Sequence, residues 1–109
     1  RKESSAASDV YKRQVYIPQL NEGRGMVRCQ HGLLPIPVPA VANIISANQL
    51  KMHITDVEGE LVTPTGAAIA AALRTQDQLP EKFTIQKVGM GAGKREYACV
   101  GVLRAMMIE

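Results

Sequence analysis

The chain has no tryptophan, one phenylalanine and three tyrosines, so aromatics make up only 4% of its 109 residues. Aliphatic and alanine packing must therefore fill any core. No run of about 18 apolar residues occurs, which excludes a helical membrane span within this sequence. The start, Arg1-Lys-Glu-Ser-Ser5, carries charge with no apolar stretch behind it, so no secretory leader is expected. Two well-separated cysteines, Cys29 and Cys99, cannot build a disulfide framework, and a reducing, cytoplasmic setting is the expectation. Basic charge is not concentrated on a body either. Four of the 13 Lys and Arg (Arg1, Lys2, Lys12, Arg13) lie in the first 14 residues against Glu3 and Asp9, leaving +1 of the net +3 for the rest. Without a basic stripe or stacking aromatics, neither nucleic acid nor a membrane is expected as a partner.

What is present suffices for one domain: 46% of the residues are hydrophobic, enough for a sizeable core. Residues 1–14 (RKESSAASDVYKRQ) are small, polar and charged without periodicity, and read as a disordered tail or a sequence scar. Residues 15–109 then form a single domain, a fragment of a larger protein. Val15-Tyr-Ile17 is a short β-prone run stopped by Pro18, Asn21–Gly25 a turn, and Met26–Cys29 a second strand. A hairpin over 15–29 follows.

Pro35, Pro37 and Pro39 stand at every second position of His31-Gly-Leu-Leu-Pro-Ile-Pro-Val-Pro-Ala40. Each fixes φ and restricts its predecessor, so the segment is expected to be a stiff extended rod that no central strand could accommodate. Ala40–Asn48 has helical apolar spacing, Leu50–Ile54 alternates as a half-buried strand, and Asp56–Gly59 reads as a loop. In Gly59-Glu-Leu-Val-Thr-Pro-Thr-Gly-Ala-Ala68, Thr63 is a good N-cap and Pro64 sits at the favoured first helical position. The body of that helix, Ala67–Leu73, is small and apolar on every side and is expected to be well buried. Lys82–Val88 alternates, Gly89-Met-Gly-Ala-Gly93 reads as a turn, and Tyr97–Ile108 as a central strand. The class expected is α+β: a small mixed sheet with two helices packed on it.

Several residues could carry chemistry. The amides of Thr65, Gly66 and Ala67, behind the Thr63 cap, open a helix whose dipole favours an anion such as phosphate; an ordinary Thr-Pro cap is the competing reading. Gly91 and Gly93, in a glycine-rich run ending in Lys-Arg, are compatible with phosphate, or with a tight turn. The run is not a P-loop, because Arg95 stands where a hydroxyl would hold magnesium. His31 could bind metal or carry a proton, or simply hydrogen-bond backbone. With Cys29 it supplies two ligands, too few for a closed site, and His53 and Cys99 add no matching spacing. Glu60 could be a base or metal ligand, or could complement the helix dipole. Arg104, a lone charge in an apolar strand, must reach solvent, Glu60 or a ligand phosphate.

The order of motifs is more specific than any one of them. His31-Gly-x-Leu-Pro-x-Pro-x-Pro-Ala40, Gly59-Glu-Leu-x-Thr-Pro-Thr-Gly-Ala-Ala68, Gly89-x-Gly-Ala-Gly93 and Leu103-Arg104 together resemble the nickel-insertion protein family LarC over roughly residues 15–109. The resemblance implies a lyase-class, CTP-dependent cyclometallase that matures the nickel-pincer cofactor of lactate racemase. Such an enzyme inserts nickel into pyridinium-3,5-bisthiocarboxylic acid mononucleotide, with a divalent cation (Mg or Mn) assisting. It implies catalytic roles for His31, also as metal ligand, and Glu60, with substrate contacts at Thr63, Thr65, Gly66, Ala67, Gly91, Gly93 and Arg104. Two departures stand out: Met90 replaces the family's usual aromatic, and Val100-Gly101 replaces its Pro-Asn. The family's Asp-rich and His-rich upstream motifs and its C-terminal nucleotide-using region are not in these residues. The 109 residues alone are therefore expected to be inactive, with the remainder of the protein as partner and a homo-oligomer compatible. Two other readings stay open: a non-catalytic assembly module, and a phosphate- or nucleotide-binding module unrelated to nickel.

Overall fold

The computed structural model describes residues 14–30, 32–92 and 102–109. The order of elements is β1 (Leu20–Arg24), β2 (Met26–Cys29), β3 (Gly32–Pro35), α1 (Pro39–Asn48), β4 (Met52–Glu58), α2 (Pro64–Leu73), β5 (Ile85–Ala92) and β6 (Val102–Ile108). The class is α+β, as expected. The strands form three pairs: β1 with β4 in parallel, β2 with β3 and β5 with β6 antiparallel.

The expected hairpin over 15–29 is not formed. Asn21–Arg24 belongs to β1, whose partner is β4 in the register Leu20↔Met52, Asn21↔His53 and Glu22↔Ile54. Gly23 suggested a turn but serves a close approach: a Cβ built there would lie 1.8 Å from the Gly59 carbonyl oxygen. Only glycine lets the two backbones come so near. Tyr16 instead makes an isolated bridge to Gln76, and the Ile17 N–H donates to the Gln76 carbonyl at 3.0 Å.

The proline segment divides into three parts rather than running as one rod. Gly32–Pro35 is β3, paired among the described residues with β2 alone, so its proline sits on an edge pair. Residues 36 and 37 bend, with a cis Ile36–Pro37 bond, and Pro39 is already in α1. The third proline is at the helix start because the first turn tolerates a missing N–H. At the other end Gln49 adopts a left-handed φ of 53°, and the Leu50 N–H reaches back to the Ile45 carbonyl at 3.1 Å. That is a Schellman-type stop, made here without glycine. The Arg74 guanidinium donates to the Asn48 carbonyl at 2.8 Å, tying α2 to the open end of α1.

The core is small and aliphatic: Val38, Val41 and Ala67 are buried, with Val27, Leu34, Ile44, Ile45, Met52 and Val62 packed against them. It lies between α1, α2 and the strands they follow. The expectation that α2 is well buried is met on one face only. Ala67 and Ala70 face inward, whereas Ile69 and Leu73 are exposed. Two further boundaries moved. β4 continues through Asp56–Glu58, and β5 runs on through Gly89 and Gly91 to Ala92 in place of a turn. Regular cross-strand pairing with β6 holds those glycines extended. Of the expected central strand, Val102–Ile108 pairs with β5, and the rest lies outside the described residues, as do residues 1–13 of the expected 1–14 tail, His31 and Gly93. Among the described residues no helix is long and apolar enough to cross a membrane.

Candidate functional site

The loop from Gly59 to Thr63 connects β4 to α2 and carries the residues the sequence singled out around Glu60. What holds it is a side chain that sequence reasoning passed over. Glu22, on β1, is completely buried, and its Oε1 accepts three backbone N–H groups: Leu61 at 2.7 Å, Val62 at 3.0 Å and its neighbour Gly23 at 3.0 Å. Its own carbonyl accepts the Thr55 hydroxyl at 3.0 Å, and the Gly59 N–H donates to the Arg24 carbonyl at 3.1 Å. Hydrogen bonds to a carboxylate are stronger than neutral ones. Two of the three come from the loop and clamp it to β1. The other oxygen, Oε2, is buried with no hydrogen-bond partner among the described residues. Nothing in the local sequence signals this role. Glu22 stands beside Gly23, which reads as a turn, and only the parallel β1–β4 pairing turns it inward.

Past the loop, the Thr63 hydroxyl oxygen accepts the Gly66 N–H at 3.1 Å, and the Thr63 carbonyl accepts the Ala67 N–H at 2.9 Å. The cap expected from Thr63-Pro64 is therefore formed. It engages Gly66 and Ala67 and not Thr65. Thr65 and Gly66 are exposed, whereas Ala67 is buried against Val38 and Val41. An anion at this helix end would meet the Thr65 amide, and would compete with the Thr63 hydroxyl for the amide of Gly66. Glu60 is half-buried in the same loop and has an interaction partner.

The remaining sequence candidates lie elsewhere. Gly91 and Arg104 belong to the β5–β6 hairpin, in register with Leu103 and Met90 respectively, and both are exposed. His31 and Gly93 are outside the described residues. Glu60, Thr63, Thr65, Gly66 and Ala67 are thus brought together by one loop and one helix start, with Gly91 and Arg104 on a separate element. Among the described residues no three His, Cys, Asp or Glu side chains are placed to hold a metal ion. Cys29 is exposed, its thiol 3.4 Å from the Gly32 carbonyl, and His53 is exposed on β4. A shallow depression lined by Gln49, Arg74, Thr75, Gln76 and Asp77 lies at the opposite end of α2. There the Lys51 ammonium, 2.9 Å from Asp77, bonds that carboxyl and holds its pKa below the usual carboxylate value, with the charge of Arg74 adding to the effect.

A capped helix N-terminus, opened by a loop clamped to a buried glutamate, is what the α+β fold builds from the Gly59–Ala68 motif. The chain belongs to the nickel insertion protein family, whose model matches residues 5–109. It is 56% identical over 96 residues to the pyridinium-3,5-bisthiocarboxylic acid mononucleotide nickel insertion protein of Alkaliphilus metalliredigens, covering 88% of this chain and 23% of that protein. The similarly named protein of Acetivibrio thermocellus is 37% identical over 94 residues, 86% of this chain and 23% of its own. That of Desulfitobacterium hafniense is 37% identical over 96 residues, 88% of this chain and again 23% of its own. The chain thus spans about a quarter of the length of the curated relatives it matches. No solved structure matches it.

Proposed function

We propose that these residues form part of a lyase-class, CTP-dependent enzyme that inserts nickel into pyridinium-3,5-bisthiocarboxylic acid mononucleotide, working in the cytoplasm together with the rest of the family-length chain. The observation that carries this reading is the family match over residues 5–109, together with the names of the relatives. Nickel is a substrate in this reaction. Forming a carbon–nickel bond on the pyridinium ring displaces a ring proton, which needs a base. Glu60 and His31 are the residues assigned to take it or to hold the incoming metal. The mononucleotide phosphate is assigned to the start of α2, where Thr65 and Gly66 are exposed and the dipole favours negative charge, with Thr63 and Ala67 shaping that turn. Arg104 is a second candidate for the phosphate, and the glycine-rich run with Gly91 and Gly93 a separate one, because Gly91 and Arg104 lie on opposite faces of the β5–β6 pair.

CTP and an assisting Mg or Mn ion are not routed through these residues. A hard divalent cation needs several oxygen donors, and the described residues offer no cluster of three. We assign both to other parts of the family-length chain.

The test is Glu60→Gln and, separately, His31→Ala in the family-length protein, assayed for formation of the nickel cofactor. Loss of a proton-transfer group is expected to lower turnover by about a hundredfold or more. Unchanged turnover in a folded variant removes that residue from the site.

A further inference from the structure

The β5–β6 hairpin is apolar on both faces. Cross-strand partners point the same way, so Val88 and Met90 share one face with Met106 and Arg104. Lys87, Gly89 and Gly91 share the other with Met107, Ala105 and Leu103. Each face carries a single charged residue. Met90 is 65% exposed on the first face, and Leu103 and Met107 are 73% and 59% exposed on the second. A solvated antiparallel pair alternates apolar with polar, whereas strands apolar on both sides are the pattern of a sheet covered twice. On the second face a Cβ built at Gly89 or Gly91 would meet nothing within 4 Å, so a strip of bare backbone lies open between Leu103 and Met107. That profile accepts a helix lying close to the sheet.

The helices within these residues do not supply the cover. α1 and α2 are already packed on each other through Val41 and Ala67, and the large apolar side chains α2 leaves exposed are Ile69 and Leu73. Those two cannot cover two faces. A second copy meeting the hairpin across a twofold axis would cover one face and leave the other in water. The family-length chain, by contrast, has about three further quarters of sequence to contribute.

We infer that β5–β6 is an inner pair of strands in the family-length protein, sandwiched on both faces by segments of the same chain outside these 109 residues, with a helix on the Gly89–Gly91 face. This holds whichever role the α2 start performs. The chain carries its own reporters, Met90 on one face and Met107 on the other. In the family-length protein both are expected to be oxidised by dilute peroxide at least about tenfold more slowly than methionine in an unstructured peptide. The protection should not change on dilution, and a photo-crosslinker attached to Lys87 should capture peptides outside residues 1–109. Oxidation of either methionine at the peptide rate overturns the proposal by showing that face free. Protection lost on dilution overturns it in favour of a second copy, and crosslinks confined to residues 1–109 overturn it in favour of cover from within.

Discussion

Glu22 is the residue on which the candidate site depends most. Its Oε1 takes three N–H groups, two of them from the loop that carries Glu60 into α2. Removing the carboxylate leaves one buried and two part-buried donors without that partner, so Glu22→Ala is expected to cost about 3 kcal/mol of stability. Glu22→Gln keeps an acceptor in place and should cost less by about 1–2 kcal/mol. Denaturant unfolding of the two variants checks the order; equal losses would show that the three bonds matter less than packing. Asp77 makes a prediction of opposite character, on the surface. Its hydrogen bond to Lys51 and the charge of that ammonium lower its folded-state pKa. The resulting stabilisation is present above the unfolded pKa and is lost as pH falls through the lower folded value. Asp77→Asn should therefore lower stability slightly at neutral pH and leave it unchanged in strong acid, flattening the acid limb of the stability–pH profile below about pH 4; the loss is small because the Lys51 partner is exposed and screened.

At the scale of elements, α2 is legible in the sequence, because Thr63, Pro64 and the alanine run specify start, first turn and body in adjacent positions. The Thr63 hydroxyl bond to the Gly66 N–H gives that reading an energetic consequence. Thr63→Ala should lower stability by about 1 kcal/mol, while Thr63→Ser should be close to neutral, measured by thermal unfolding. The strands were harder. A glycine in a strand and a glycine in a turn look alike in one dimension, and two of the displaced boundaries, at Gly23 and at Gly89–Gly91, lie at glycines. What distinguishes them is the neighbouring strand: β4 approaching Gly23, and β6 pairing through Gly89 and Gly91. The proline segment shows the same limit. Restricted φ angles predicted extension, and Gly32–Pro35 is extended, but the helix recruited Pro39 because its first turn does not need the missing N–H.

At the scale of the whole molecule, a buried centre of Val38, Val41 and Ala67 is a small one to order so many residues. Ile85, Val88, Met90, Leu103 and Met107 remain in solvent while it forms. A chain that is a quarter of its relatives' length and exposes this much apolar strand surface is expected to have no nickel-insertion activity by itself. Cofactor formation assayed with residues 1–109 alone against the family-length protein checks this; turnover by the short chain would refute it. Family membership was readable from sequence because the Gly59–Ala68 and His31–Ala40 motifs are long, ordered and composed of residues with narrow conformational roles. Local backbone preference also determined α1, α2 and the cap at Thr63, since caps, first-turn prolines and apolar spacing act within a few residues. The tertiary structure alone decided that β1 runs parallel to β4, which buries Glu22 behind the Leu61 and Val62 amides, and that β5–β6 is left bare on both faces by the described residues. Those outcomes depend on which distant segments meet, and no spacing within a single stretch records that.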